Sequence, residues 1–325
     1  GDIATLTTLL DANSNNAFTI TVTDTAADAV DLVAIDSITS VQVDAANVET
    51  ISGTVENLNA YRVAFTAKTI SGLSLYAAET SDASATAADL LDLADPSTGF
   101  NPDVNLASIQ TINGSATQIQ ELYALQSVDA SVSGLGNEAI VLSDSGAVAA
   151  TVLTAISDLT TGDITSVSVT SITGTAEQVQ ASLDSINLGS LDAVVVTISD
   201  ALGVAVDATT LSTIGGATSG VVTVTNAIAI SGTADQVTAA LLTEDTLVVV
   251  SNATVSISDA GSIAAIVLTD IAGVTSGAVT SASVTTITGA ASEVKAALDS
   301  AQLTSLDAVN VTISDADLED IFATT

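Results

Sequence analysis

The sequence predicts an α/β fold, a right-handed α/β solenoid of about eleven strand–helix coils built on one continuous parallel sheet. Three features predict it: a phrase that recurs along the chain, a second phrase that alternates with it, and an Ala-rich helical stretch after each phrase. Because this period runs from one end to the other, we expect a single repeat domain over residues 1–325. A pair of ordinary α/β domains is the alternative.

A glycine marks the first phrase, which reads TISGTVENLN, TINGSATQIQ, SITGTAEQVQ, AISGTADQVT and TITGAASEVK in turn. The glycines are Gly53, Gly114, Gly174, Gly232 and Gly289. An aspartate ends the second phrase, at Asp24, Asp82, Asp144, Asp200, Asp259 and Asp315. The alternation gives units of about 29 residues, paired as about 59, with a divergent stretch at 55–105.

Short β-branched runs lead into each phrase, as in SVSVTSIT and AVVVTIS. Val, Ile and Thr suit the extended pleat because branching at Cβ restricts their side chains. These runs are therefore predicted to be strands, and their alternation indicates which side chains point into the core. The residues expected there are Ile172, Val195, Ile198, Ile230, Ile257, Ile287 and Ile313.

The helical stretches are predicted to begin at polar capping residues. Thr175 and Gln178 fit a capping box, in which the hydroxyl accepts from the third helical N–H and the Gln amide accepts from the cap. The same pairing recurs at Thr233 with Gln236 and at Ser115 with Gln118. Each aspartate of the second phrase is expected to cap the helix that follows it. The apolar face of the helix after Thr175 is expected to hold Val179, Leu183 and Ile186.

Composition restricts the chemistry of the chain. A net charge of −35, from 38 acidic and 3 basic residues, repels phosphate and anionic lipid, so we expect no nucleic-acid partner. Ser, Thr and Asp interrupt every apolar run, which argues against membrane insertion. Without Cys, His, Met or Trp, the chain lacks the usual zinc, haem and iron–sulfur ligands and any Ser–His or Cys–His pair. We therefore expect a protein that is not an enzyme and has no cofactor, with calcium left open.

Calcium prefers carboxylate and carbonyl oxygens, which this chain offers in quantity. The best local cluster lies in a loop that also contains two prolines and a glycine. Its candidate metal ligands are Asp92, Asp95, Asn101 and Asp103. The alternative is a solvated insertion between coils.

The divergent region also concentrates aromatic residues, and Arg and aromatic side chains are enriched at the centres of protein interfaces. The candidate partner-binding residues are Tyr61, Arg62, Phe65, Tyr76 and Phe100. Larger core fillers in a wider coil are the alternative explanation for the same residues.

The stretch SGLGNEAIVLSD (133–144), followed by AVAATVLTAISDLTTGDITSVSVTSITGTAEQV (147–179), resembles the Ala/Thr/Gly-rich tandem repeats of giant cell-surface proteins of marine cyanobacteria and related bacteria. The phrases ITGTA and LSD match best. The resemblance implies a secreted, S-layer-like structural protein or adhesin, often one exported by a type I route, and it supplies no catalytic residues. The GGxGxD calcium repeats of many such proteins are missing from this sequence.

The predicted function is that of a non-enzymatic extracellular structural module, a stiff acidic rod in a surface layer, filament or large adhesin. Its expected partners are copies of itself or adjoining repeats, end to end. The first alternative is a calcium- or carbohydrate-dependent adhesion module that binds a surface glycan, and the second is a solenoid polysaccharide-degrading enzyme. Helical segments at 3–12 and 316–325 flank the repeats, so strands near 18–23 and 309–314 are expected at opposite, open ends of one sheet.

Overall fold

The structure, a computed structural model, describes residues 1–9, 16–72, 77–95, 97, 103–128, 131–189 and 191–315. Eleven α-helices lie within these residues. They are α1 (Ile3–Leu6), α2 (Ala29–Ser37), α3 (Val55–Thr66), α4 (Ala87–Leu93), α5 (Ala116–Val128), α6 (Ala150–Ser157), α7 (Ala176–Leu183), α8 (Ala208–Gly216), α9 (Ala234–Leu241), α10 (Ala265–Gly273) and α11 (Ala291–Asp299). Short 3₁₀ helices occupy Thr7–Leu9 and Glu244–Thr246.

The strands are short and alternate with the helices. In the first half of the chain they are β1 (Ala26–Asp28), β2 (Val43–Asp44), β3 (Thr50–Gly53), β4 (Ile70–Ser71), β5 (Ala77–Thr80), β6 (Ser84–Thr86), β7 (Asp103–Asn105), β8 (Thr111–Gly114), β9 (Val132–Ser133), β10 (Ala139–Leu142), β11 (Gly146–Ala149) and β12 (Ile164–Thr165). The remainder are β13 (Val169–Gly174), β14 (Leu188–Gly189), β15 (Val195–Ile198), β16 (Ala205–Asp207), β17 (Val222–Val224), β18 (Ala229–Gly232), β19 (Val248–Val249), β20 (Thr254–Ile257), β21 (Gly261–Ala264), β22 (Val279–Thr280), β23 (Val284–Gly289), β24 (Leu303–Thr304) and β25 (Asn310–Ile313).

The chain divides into two compact units, Gly1–Asp144 with Ala155–Ser166, and Ser145–Thr154 with Val167–Thr325. The first unit contains the sheets ordered β1–β3–β5–β7–β9 and β2–β4, and the strands β6, β8, β10 and β12, which pair in that order. The second contains β11–β13–β15–β17–β19, β16–β18–β20–β22–β24 and β21–β23–β25. The paired strands of each unit run parallel, for example β13 with β15 and β8 with β10. The α/β prediction is thus confirmed, whereas the prediction of one continuous sheet is wrong.

The sheets are separate because strand pairing advances along the chain in shorter steps than the sequence landmarks do. Gly174 pairs with Ile198, just before the next landmark, Asp200. Ile198 in turn pairs with Val224, well before the following landmark, Gly232. Each strand therefore pairs with the strand two places further along the chain, instead of with its own equivalent in the next repeat: β11, which precedes α6, pairs with the glycine-phrase strand β13, and β13 pairs with the aspartate-phrase strand β15.

The step between paired strands also determines where the sheet β11–β13–β15–β17–β19 ends. One full repeat, from α7 to β18, contains five strands, and the sheet β11–β13–β15–β17–β19 holds one strand of each kind. Val222 of β17 pairs with Val248 of β19, and one more step of the same length reaches Val274, in the turn that follows α10, where the chain forms no strand.

The helices bury regularly spaced aliphatic side chains. The even-numbered helices bury a Leu and, three residues later, an Ile or Leu; these pairs are Leu32 and Ile35, Leu90 and Leu93, Leu153 and Ile156, Leu211 and Ile214, and Leu268 and Ile271. The odd-numbered helices from α3 onward bury the residue five positions after the phrase glycine, which is Leu58, Ile119, Val179, Val237 or Val294. Consecutive helices of a unit pack on one another, such as α2 on α3 and α8 on α9. The core thus lies between the sheets and these helix faces.

Most predicted core residues are buried, and the exceptions have local causes. Ile172, Ile198, Ile230, Ile257 and Ile287 are buried as predicted. Val195 is 43% exposed, because in a run of three valines it is Val194 and Val196 that face inward. Ile313 is 38% exposed, since its strand β25 is the last in its sheet. Ile186 is fully exposed because α7 already ends at Leu183.

The predicted terminal strands do not share one sheet. Residues 18–23 form no extended strand and make an isolated bridge between Thr21 and Asp44, whereas β25 belongs to the sheet β21–β23–β25. The described part of the predicted helix at 3–12 consists of α1 and the 3₁₀ turn, and the N–H of Ile3 donates to the Asp24 carboxylate at 2.7 Å. The predicted helix at 316–325 lies outside the described residues.

Candidate functional site

The recurring aspartates bind the start of a helix that lies earlier in the chain. Asp200 is buried, and its Oδ2 accepts a hydrogen bond of 2.7 Å from the backbone N–H of Ala176, the first residue of α7. The same contact joins Asp24 to Ile3, Asp82 to Val55, Asp144 to Ala116, Asp259 to Ala234 and Asp315 to Ala291, over 2.6 to 2.7 Å. The same polar joint thus occurs six times among the described residues.

The prediction that each aspartate caps the following helix is therefore wrong. Asp200 is separated from the next helix, α8, by strand β16, and the residue at the N-cap of α8 is Asp207. Parallel strand pairing instead brings the end of β15 beside the end of β13, which leads directly into α7. The carboxylate then lies at the positive end of the helix dipole, which favours a negative charge.

The predicted capping boxes are confirmed. The hydroxyl of Thr175 accepts from the N–H of Gln178 at 3.3 Å, and the Gln178 amide oxygen accepts from the N–H of Thr175 at 3.0 Å. Thr233 with Gln236 and Ser115 with Gln118 make the equivalent bonds. With the aspartate from the neighbouring strand added, the backbone N–H groups of Thr175, Ala176 and Gln178 at the start of α7 are all bonded by the protein itself.

A second joint, absent from the predictions, binds neighbouring segments through a buried threonine. The hydroxyl of Thr218 donates to the backbone oxygen of Val194 at 2.7 Å and accepts from the N–H of Gly220 at 3.0 Å. Thr160 and Thr275 make the equivalent bonds to Glu138 and Ala253. The signal was present in the sequence as TTG (160–162) and TSG (218–220 and 275–277).

The predicted calcium ligands are scattered where the structure describes them. Asp92 is exposed on α4, Asp103 is exposed on β7, and Asn101 lies outside the described residues. Asp95 accepts hydrogen bonds of 2.9 Å from both the backbone N–H and the hydroxyl of Ser97, and these bonds lower its pKa. Within the described ranges, no group of three or more acidic, His or Cys side chains is placed to hold a metal ion.

The aromatic cluster proposed for partner binding is in part core. Tyr61 is completely buried on α3, so the core-filler explanation holds for this residue; its burial, together with the charge of Asp36, raises the pKa of the phenol. Arg62 is half-buried and donates from Nε to the Asn59 side-chain oxygen at 3.1 Å. Phe65 is half-buried as well. The other two candidates, Tyr76 and Phe100, lie outside the described residues.

A polar cavity of about 590 Å³ lies beside this cluster in the first unit. Its lining includes Glu56, Asn59, Asp82, Asp89 and Asn113. The Asn59 amide donates to the backbone oxygen of Asp89 at 2.9 Å, which ties α3 to α4 at the wall of the cavity. No described lining residue is aromatic or basic, so the cavity offers hydrogen bonds and negative charge. Such a surface suits a neutral polyhydroxylated ligand better than an anion.

Comparison with protein-family models gives no match for this chain. Comparison with curated proteins gives none either. Within the described residues, no helix is long and apolar enough to cross a membrane.

Proposed function

We propose that the chain is a non-enzymatic structural repeat module of the extracellular cell surface. In this proposal it folds as a right-handed α/β solenoid and forms a stiff acidic rod in a surface layer, filament or large adhesin. The observation that carries the proposal is the aspartate joint, which occurs six times with the same geometry, as between Asp200 and Ala176 or between Asp82 and Val55. A device that recurs in every repeat serves the repeat architecture, whereas a catalytic site is needed once.

The joints also account for the polar residues that recur in the sequence. Each Asp, each capping Thr or Ser with its Gln, and each buried Thr of the TTG and TSG phrases bonds to backbone of the fold itself. In a repeat array each unit is stabilised chiefly by its neighbours, and these side chains supply such contacts. The negative charge on the outside then keeps the array hydrated and soluble.

In the proposed assembly, the partners are copies of the chain or adjoining repeats that stack end to end. A contact between unlike ends that does not close into a ring propagates as a filament. The outer strand β25 fits this role because its four residues, Asn310–Ile313, are all exposed. An exposed strand edge is a template for pairing with another strand.

The proposal is tested by the shape and the location of the protein. Small-angle X-ray scattering and negative-stain electron microscopy of the purified chain should show an elongated particle of constant cross-section. Immunogold labelling of intact cells that produce the chain should mark their outer surface. A compact particle would contradict the rod, and labelling confined to permeabilised cells would contradict the location.

The polar cavity favours a second function, that of a carbohydrate-binding adhesion module. Its carboxylates and amides, including Asp89 and Asn113, are suited to hydrogen bonding with sugar hydroxyls. Binding to a glycan array should then be lost in Asn113→Ala and kept in Asn252→Ala, an exposed amide outside the cavity. Equal binding by both variants, or none by the unchanged protein, would remove this alternative.

A further inference from the structure

A carboxylate is buried in the loop that precedes β10. The side chain of Glu138 is only 1% exposed. Its Oε2 accepts hydrogen bonds from the backbone N–H groups of Gly136 and Asn137, at 2.9 and 3.0 Å. Its Oε1 is equally buried and has no hydrogen-bond partner in the described chain. Oε2 of this carboxylate is thus held by backbone hydrogen bonds, whereas Oε1 is buried without a partner among the described residues.

The repeats themselves show that the fold does not need an acid here. The backbone oxygen of Glu138 accepts from the Thr160 hydroxyl at 2.7 Å. In the equivalent joints the residue in the place of Glu138 is Val194 or Ala253, and both are buried. An apolar side chain therefore satisfies the architecture at this position. A buried polar group that breaks the local rule of its own repeat points to a role beyond folding.

A buried carboxylate that stays ionised needs a counter-charge. Moving an ionised carboxylate out of water is strongly unfavourable unless a cation and further hydrogen bonds compensate it. The chain has 3 basic side chains in all. The one ion pair among the described residues joins Lys295 to Asp299, so Glu138 takes no protein cation as its partner there.

The surrounding segment is hydrogen-bonded to α5 and rich in oxygen. The Gln126 side chain, on α5, binds Leu135 twice, accepting from its N–H at 2.9 Å and donating to its backbone oxygen at 3.2 Å. Helix α5 also packs on β9. The hydroxyls of Tyr123 and Ser131 are buried in the same segment and, like Glu138 Oε1, have no hydrogen-bond partner among the described residues. Three buried oxygens without partners thus belong to residues 123, 131 and 138 of the chain.

We propose that Glu138 is a ligand of a bound calcium ion through Oε1. Calcium accepts carboxylate, hydroxyl and carbonyl oxygens in a flexible geometry, whereas magnesium demands a near-ideal octahedron and retains its waters. The site contains a single carboxylate, so hydroxyl and carbonyl oxygens supply the remaining protein ligands. It lies outside the loop of Asp92 and Asp103, and it does not depend on the proposed structural function.

The test compares calcium binding and thermal stability across matched variants. Calorimetric titration with CaCl₂ should show binding to the unchanged protein, and saturating calcium should raise Tm by roughly 5 °C over EDTA. Glu138→Val, which installs the residue found at position 194, should lose both effects while melting in EDTA at least as high as the unchanged protein. Glu121→Gln, which removes an exposed charge from α5, should keep both effects.

Two controls keep the outcome decisive. Glu138→Gln keeps the shape and the bonds to Gly136 and Asn137, so it should lose calcium binding even if the valine variant fails to fold. NaCl at matched ionic strength should not reproduce the rise in Tm, because general screening acts on every surface charge. Absence of calcium binding in the unchanged protein, retention of binding in Glu138→Gln, or an equal response to NaCl would each overturn the proposal.

Discussion

The carboxylate of Asp200 accepts a hydrogen bond of 2.7 Å from the backbone N–H of Ala176, although the two residues are distant in sequence. This bond joins the end of one strand to the start of the helix that follows the neighbouring strand. A helix start requires acceptors for its first N–H groups, and here a residue of the next repeat supplies one of them. Local capping and long-range packing are therefore coupled in a single contact.

We expect Asp200→Ala to lower the free energy of unfolding by about 1–2 kcal/mol, the usual effect of removing a helix cap. The buried N–H of Ala176 would lose its acceptor, and the helix dipole would lose a favourable charge. Asp200→Asn should cost less because an acceptor remains. Chemical denaturation would measure both, with the exposed Asp192→Ala as control. A loss no larger than that of the control would mean that the joint does not stabilise the fold.

Gly220→Ala should be destabilising because the segments that precede β15 and β17 approach each other closely at this glycine. A Cβ at position 220 would overlap the backbone oxygen of Val194, a clash that only backbone movement can relieve. We expect a loss of about 1–3 kcal/mol. Gly273→Ala, where an added Cβ meets no atom within 4 Å, should instead be neutral or slightly stabilising. Thermal melting of the two variants should differ in sign, and equal behaviour would contradict the close approach.

Local features were predictable from the sequence because their causes are local. The capping box of Thr175 and Gln178 depends on residues three positions apart, and its geometry follows once a helix begins there. Burial of Ile172 and Ile198 follows from strand alternation. The same reasoning selected the wrong residue in the run of valines at 194–196. An unbroken apolar run lacks the polar–apolar alternation that would show which side chains face inward.

Long-range features could not be read in the same way. The partner of Asp200 depends on how far along the chain one strand lies from the strand it pairs with, and the spacing of the landmarks does not reveal that distance. The division into several sheets follows from the same mismatch. Burial of Glu138 was missed because its equivalence to Val194 is visible only once Thr160 and Thr218 are seen to bind matching backbone oxygens.

Val195 and Val196 offer a direct test of which side chains of β15 face the core. Val196 is fully buried in β15, whereas Val195 is 43% exposed. Val196→Asp should cost about 3 kcal/mol or more because it buries a carboxylate without a partner. Val195→Asp should cost about 1 kcal/mol or less, the range of strand propensity effects. The two losses of unfolding free energy, measured by urea denaturation, show which of the two side chains faces the core. A larger loss at position 195 would show that Val195, and not Val196, points inward.

Asp36, near the C-terminal end of α2, should make stability depend on pH. Burial raises the pKa of this carboxyl above its ordinary 3.8, although a hydrogen bond with Thr69 acts in the opposite sense. The folded state therefore holds the proton more tightly than the unfolded state, so the stabilising contribution is complete below pH 3.8 and is lost as the pH rises through the folded-state pKa.

Asp36→Asn, which is neutral at every pH, should consequently stabilise the protein at pH 7, by about 1 kcal/mol or less because solvent screens a partly exposed charge. This gain should shrink as the pH falls towards 3.8, where the native carboxyl becomes protonated. Asp163→Asn, at an exposed position, corrects for the general relief of negative charge. Denaturation curves from pH 3.5 to 7 would measure the difference between the two variants, and a gain that is constant or grows towards acid would reverse the sign assigned here to Asp36.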